Sequence, residues 1–374
     1  MDHQVNILLL NPFHSGSHAQ WANSLRQNWG ETSDLQITAC TLPGRHWKWR
    51  MHGASAEFAR QCALEKTTPK AIICTDMMDV ATFKGLLRRD WSHVPIIQYF
   101  HENQVTYPWS PNDPDAHSGR DRTYGMMNIL SAMAADALWF NSNFHRQAFI
   151  NAIPSFIHPM PDQLRSFIEH PFEQKSSVLP IGIECPLEID LTRHCTKAPT
   201  ILWNHRWEFD KAPEFLFEVL KDFKTHEIDF SLILTGPQFD SKSPALDLHL
   251  KHFETNIIHQ GYAESRSDYL GLLRKSDFVI HSPKQEYFGI SVLEAMAHGV
   301  IPILGKGNAY DDWCPEKFLI NDIEMARERF QNLSQEPALH RKEARGIAEQ
   351  FEWKHVIQSY HAALSSVLES VRNV

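Results

Sequence analysis

The segment HSPKQEYFGISVLEAMAHGVIPIL, residues 281–304, sets Glu286 and Glu294 on either side of Gly289. An apolar run and a polar loop precede that glycine, so a helix is expected to begin near Ile290. Glu286 then lies in the loop and Glu294 in the second helical turn. Were the whole stretch one helix, the two carboxylates would stand about 12 Å apart along its axis. The start at Ile290 instead turns the unpaired N–H groups of Phe288, Gly289, Ile290 and Ser291, and the positive end of the helix dipole, toward an anion such as a diphosphate. Glu294 could hold ribose hydroxyls there, and Glu286 the hydroxyls of a sugar undergoing transfer. Two glutamates alone carry no such meaning; what surrounds them does.

Upstream, ILWNHRWEFDKAPEFLFEVL ends an apolar run with Asn204, Arg206 and Lys211. Cations just beyond a buried strand suit a diphosphate leaving group, Arg as a fork of donors and Lys as a mobile charge. Negative charge grows on the leaving oxygen as a sugar–phosphate bond breaks, and cations aimed there lower the barrier. Taken alone, Arg206 and Lys211 read as surface charges. In the first half, YFHENQVTYPWSP places His101, Glu102 and Asn103 directly after an apolar run. His101 could bond a sugar and steady charge at the reacting carbon, or be structural. Gly16 and Ser17, in NPFHSGSH, could let backbone N–H groups approach a phosphate, or form an ordinary strand-to-helix turn. Asp76 and Asp79 are spaced D-x-x-D with no partner for a metal, and helix capping is the expected role. No P-loop and no G-x-G-x-x-G is present.

Short apolar runs alternating with helical patterns must position these groups. Val5–Leu10, Ala71–Thr75, Ile96–Phe100 and Ala137–Asn141 read as buried strands, as do Ile201–Asn204, Ser231–Thr235, Ile257–Gln260, Phe278–His281 and Ile301–Leu304. Gln20–Asn28, Met126–Ala135, Pro213–Lys224 and Ser267–Lys275 read as helices between them. The alternation implies an α/β fold of two parallel, Rossmann-like sheets whose ligands collect at the carboxyl ends of the strands, in a cleft between domains. We expect a first domain over 1–182, a nucleotide-sugar-binding domain over 183–355, a linker region within Pro180–Pro199, and an amphipathic closing helix over 356–374. The strand end at Gly236 and the turn at Gly261–Tyr262 are the expected neighbours of a nucleotide base.

With 374 residues the chain is too long for one ordinary core and suits two domains. The six cysteines form no C-x-x-C pair, and the 22 histidines show no ligand spacing, which together leave no metal site and no disulfide framework in view. A net charge of −9 disfavours a protein coated in nucleic acid but allows a local basic patch. The opening residues lack a basic leader and a cleavage site, and no apolar stretch approaches a membrane span, so the expectation is a cytoplasmic protein without membrane contact.

E-x7-E followed by A-M and G-V-I-P, with R-x4-K after the first strand of the second half, resembles the retaining GT-B glycosyltransferases of family 4. FEWKHVIQSYHAAL is similar to their C-terminal helix, which crosses back to the first domain, and PIGIE to their interdomain linker. A narrower resemblance spans nearly the whole chain: NPFHSGSHAQW, TLPGRHWKWR, YFHENQVTYPWSP, NHRWEFDKAPE and the 286–294 region resemble the tRNA-queuosine α-mannosyltransferase family. It implies two domains facing across a cleft, GDP-mannose as donor, no metal cofactor, and retention without a covalent nucleophile. The implied acceptor is the cyclopentenediol of queuosine in a tRNA anticodon, that of tRNA-Asp. By position His101, Arg206, Lys211 and Glu286 take catalytic roles, and Glu294 the donor ribose. The family's loop often carries two glycines where this chain has Ser15–Gly16, which leaves that donor contact open.

For RNA the residues themselves offer Arg45–His52, RHWKWRMH, where Arg45, Lys48 and Arg50 interleave with Trp47 and Trp49. A loop of this kind could contact phosphates and stack an unpaired base. It could equally be a partly buried amphipathic loop. Arg88, Arg89, Arg120 and Arg122 would extend a basic rim, with Glu102 and Asn103 on the acceptor side. Two other functions stay open: a glycosyltransferase of the same fold acting on a small-molecule, lipid or glycan acceptor, and a non-catalytic nucleotide-sugar-binding protein.

Overall fold

A computed structural model describes residues 7–32, 35–110, 113–115, 121–161, 167, 169–195, 197–236 and 244–372. The chain divides into two compact units, one of Met1–Gly182 with Trp353–Val374 and one of Ile183–Glu352. Each is built on a six-stranded sheet whose named strand pairs are all parallel.

In the first unit the strands are β1 Ile7–His14, β2 Ile37–Pro43, β3 Ala71–Thr75, β4 Ile96–Phe100, β5 Ala137–Phe140 and β6 Ser176–Val178, in the order β2-β1-β3-β4-β5-β6. The chain leaves β1 toward β2 and returns on the other side at β3, so the topological switch point lies between β1 and β3. β3 and β4 are buried along their whole length, which is why AIICT and IIQYF are unbroken apolar runs rather than alternating ones. The helix Trp353–Arg372 belongs to this unit. It buries Trp353, Val356, Ile357, Tyr360, Leu364 and Val367, the stripe expected of an amphipathic helix. Its Tyr360 hydroxyl accepts the indole N–H of Trp21 at 2.9 Å and lies 3.2 Å from the hydroxyl of Tyr99.

The second unit carries β7 Thr200–Trp203, β8 Ser231–Leu234, β9 Ile257–Gln260, β10 Phe278–His281, β11 Ile301–Gly305 and β12 Leu319–Ile320, in the order β12-β11-β10-β7-β8-β9. Here the switch point falls between β7 and β10, which pair directly. Pro213 opens the helix Pro213–Thr225 with its φ already set for a first turn. Leu216, Phe217, Val219, Leu220 and Phe223 then bury that helix. Among the described residues no helix is long and apolar enough to cross a membrane.

Candidate active site

The second unit gathers its polar residues where β7 and β10 end. Asn204, His205 and Arg206 follow β7, Lys211 closes the short turn Phe209–Lys211, and Glu286 lies in the loop after β10. Lys211 Nζ sits 2.9 Å from Glu286 Oε2 and 3.3 Å from Asp210 Oδ2. The second oxygen of Glu286 accepts the backbone N–H groups of Phe288 and Gly289 at 3.3 and 3.1 Å. Burial opposes charge on both partners, but the mutual attraction outweighs it: Glu286 falls below its ordinary range and Lys211 rises above its own. The pair is held ionised. Arg206 is more open, with its guanidinium 2.9 Å from Glu208 and 3.8 Å from Asp210.

The helix starts at Ile290, where the spacing around Gly289 places it. Gly289 has φ 90° and ψ 40°, and a Cβ there would meet Tyr310 Cε1 at 2.5 Å, so the helix entry depends on glycine twice over. Gly289 at the N-cap brings no capping side chain, but Glu286 Oε1 takes the N–H groups of Phe288 and Gly289, two of those expected to face an anion. Asn204 ties the helix to β7, donating from Nδ2 to the carbonyl of Ser291 at 2.9 Å and to the hydroxyl of Tyr269 at 3.0 Å. Ser291 Oγ lies 3.0 Å from His205 Nδ1, and the His205 ring stacks on His281 at 3.5 Å. Burial, with Lys211 adding to it, drives His205 down to about 3, so this support is uncharged. Gly236, after β8, packs on the same region: a Cβ would meet His205 O at 1.6 Å.

Glu294 is buried in the second turn of that helix, and its carboxylate already has partners. Arg266 donates to Oε1, and the Tyr269 hydroxyl lies 3.4 Å from Oε2. Arg266, Tyr269 and Asp210 were not foreseen from the sequence. Their only signal was the position of each shortly after a strand of the sheet. Tyr262, expected beside a nucleotide base, lies beyond β9 and is 74% exposed.

In the first unit His101 follows β4 and is buried. Its ring packs 4.2 Å from that of His18 and edge-on to Trp21 at 4.7 Å. Burial first, then His18 and His145, push its imidazole well below the ordinary value, so the ring is neutral. Both ring nitrogens are buried, and neither meets a hydrogen-bond partner among the described residues. Asp79 caps the helix Val80–Leu86, accepting from the N–H of Thr82 at 2.9 Å. Asp76 does not cap a helix, contrary to expectation. It accepts the backbone N–H of His101 at 3.0 Å. Gly16 begins the helix Gly16–Thr32 with φ 51°, and Ser17 follows it, exposed.

Residues 6–183 match the family description tRNA-queuosine alpha-mannosyltransferase N-terminal, and residues 191–314 match glycosyl transferases group 1. Over 358 residues the chain is 28% identical to the tRNA-queuosine alpha-mannosyltransferase of Drosophila melanogaster, covering 92% of this chain and 91% of that protein. The chain is thus similar to tRNA-queuosine alpha-mannosyltransferases over most of its length. It is a glycosyltransferase. A GDP-mannose:cellobiosyl-diphosphopolyprenol alpha-mannosyltransferase of Xanthomonas campestris is 25% identical over 183 residues, 45% of this chain and 48% of that one. The crystal structure of Anabaena HepE in complex with UDP superposes with a TM-score of 0.68 at 16% identity, covering 96% of this chain and 100% of HepE. That likeness establishes the GT-B fold.

In this chain the segment RHWKWRMH is not a loop. His46, with φ 56°, leads into the helix Trp47–Cys62. The helical phase separates the two tryptophans: Trp47 packs toward Tyr124 (5.1 Å between rings) and Trp109 (6.1 Å), while Trp49 is 64% exposed. Lys48 is bound to Asp113 at 2.7 Å and to Asp115 at 2.5 Å, which removes it from the expected phosphate-binding set. Arg50 donates to the carbonyl of Pro43 at 3.2 Å from Nη2, whereas Arg45 is exposed. Asn103 is fully buried, and its Oδ1 accepts the N–H groups of Val105 and Thr106, so it shapes a turn instead of meeting an acceptor. Glu102 beside it accepts from Gln104 Nε2 at 3.0 Å. On the expected rim, Arg88 is engaged by Asp90 and by the carbonyls of Cys62 and Glu65. Arg122 donates to Phe156 O, Arg89 is exposed, and Arg120 lies outside the described residues.

Proposed function

We propose that this glycosyltransferase moves mannose from GDP-mannose to queuosine in the anticodon of a tRNA, with retention at the anomeric carbon. The observation that carries the reading is the Lys211–Glu286 pair at the β7/β10 switch point, beside the start of the helix Ile290–Ala297. A diphosphate at that helix start would meet Lys211 and Arg206, which supply the positive charge the leaving oxygen needs, and the proposal requires no metal ion. Glu286, fixed at both oxygens, is set to accept hydroxyls of the sugar, and Glu294 those of the ribose. His101 supplies a neutral hydrogen-bonding group to the donor sugar. The names of the relatives support mannose as the sugar, GDP-mannose as its carrier and queuosine in tRNA as the acceptor. Among the arginines, the lysine and the tryptophans of the basic aromatic segment, Arg45 and Trp49 are the exposed ones and are the candidates to meet RNA.

The test is incubation of the purified protein with GDP-mannose and queuosine-containing tRNA, followed by mass analysis of the digested nucleosides. A hexose on queuosine, lost in Glu286→Ala, is the expected result. Absence of transfer by a protein that still binds GDP-mannose would overturn the acceptor and favour a small-molecule, lipid or glycan acceptor.

A further inference from the structure

Three strand ends converge on one peptide in the first unit. The last registered pairs are Thr75↔Tyr99 between β3 and β4, and Phe100↔Phe140 between β4 and β5. Asp76, His101 and Asn141 are the residues immediately beyond β3, β4 and β5. Past the ladder, buried main-chain groups must find backbone, side-chain or water partners. Those of His101 find side chains on both flanks. Asp76 Oδ1 accepts its N–H at 3.0 Å, and Asn141 Nδ2 donates to its C=O at 2.9 Å. Asn141 is itself steadied, with Oδ1 2.8 Å from Nδ1 of His145, and all four residues are buried. The His101 ring has packing partners but no hydrogen bond among the described residues. Peptide grip and ring packing therefore decide where its nitrogens point.

We propose that Asp76 and Asn141 are positioning residues for the transfer reaction, holding the His101 peptide from both sides and so setting where its imidazole meets the donor. The inference rests on the reading of His101 as the sugar contact. A displacement of about 1 Å in such a group can cost on the order of 100-fold in rate. The Asp76 bond needs an acceptor, not a charge. Burial, with Glu102 adding to it, raises the Asp76 carboxyl well above its usual range, and an asparagine oxygen can accept the same N–H.

Transfer kinetics with GDP-mannose and queuosine-containing tRNA, together with crystal structures of Asp76→Ala and Asp76→Asn, test this. Asp76→Ala and Asn141→Ala are expected to lower kcat by about 10- to 100-fold with donor KM within about threefold, and Asp76→Asn to stay within about threefold of the parent. Asp76→Ala added to His101→Ala should slow it no further, because the function being positioned is already gone. In the crystal, His101 should move in Asp76→Ala and stay in Asp76→Asn. An unmoved His101 in Asp76→Ala, or an undiminished loss on the His101→Ala background, would overturn the inference. Should Asp76→Ala not fold, the Asn141→Ala and Asp76→Asn pair carries the same comparison. A fully active His101→Ala would overturn the sugar-contact reading instead, while the crystal structures would still decide the grip.

Discussion

Lys211 Nζ lies 2.9 Å from Glu286 Oε2, and in the same gap the backbone N–H of Lys284 donates to Asp210 O at 2.8 Å. One ion pair and one main-chain bond thus join the loop after β7 to the loop after β10, and the charges proposed to act on the donor also fasten the second sheet's crevice.

Such a pair ties stability to pH on both sides. The folded Glu286 lies below its ordinary range, so its contribution is present above about pH 4.3 and is lost as pH falls through the lower folded value. The folded Lys211 lies above its own range, so its contribution is present below about pH 10.4 and is lost as pH rises through the raised value. Lys211→Met should cost about 3 kcal/mol near neutrality and progressively less at either extreme. Denaturant unfolding of both proteins at acid, neutral and alkaline pH measures this, and a gap independent of pH would contradict it.

At Gly289 the backbone angle and the Tyr310 ring act together. Gly289→Ala is expected to lose about 2 kcal/mol of stability and to weaken GDP binding, because relief of the clash must shift the helix start. Thermal unfolding and calorimetric titration with GDP would show the two losses together. Loss of stability with intact GDP binding would separate this helix start from the diphosphate.

The two tryptophans of RHWKWRMH should part company. Trp47→Ala removes packing against Tyr124 and Trp109 and should cost about 2 kcal/mol. Trp49→Ala should change stability by less than about 0.5 kcal/mol yet weaken tRNA binding. Arg45→Ala should lower the salt slope of tRNA binding by about one, and Lys48→Gln should leave it unchanged, since Asp113 and Asp115 already neutralise that ammonium. Equal slopes for the two variants would remove Arg45 from the interface.

His101 should not titrate in the physiological range. Its burial, beside His18 and His145, holds the ring neutral, so its imidazole signals should stay constant from roughly pH 5.5 to 8 in heteronuclear NMR. A midpoint near 6.5 would mean that the ring is solvated.

What could be read in advance followed burial. β3, β4 and β10 have the predicted limits because strands covered on both faces are written as unbroken apolar runs, and β9 has them although it is a half-exposed edge strand. β2 was missed because ITACTLP is largely half-exposed at an edge, β6 because SSV is short and polar, and β12 because two residues carry no period. The helix Trp47–Cys62 was legible in principle: Met51, Ala54, Phe58 and Cys62 are buried at helical spacing, but the cations drew the eye to a loop. Around the site, charges were found and their internal partners were not. Arg266 on Glu294, Asp76 on the His101 peptide and the aspartates on Lys48 are contacts between distant segments, which single positions do not announce.

The helix Trp353–Arg372 completes the first unit although the whole second unit separates it from the rest of that unit along the chain. A ribosome therefore delivers Trp21 and Tyr99 long before the Tyr360 hydroxyl that joins them. Until synthesis passes the second unit, the first has an open apolar face and an unanswered indole N–H next to His101. Completion of the His101 pocket thus waits until the second unit has been made.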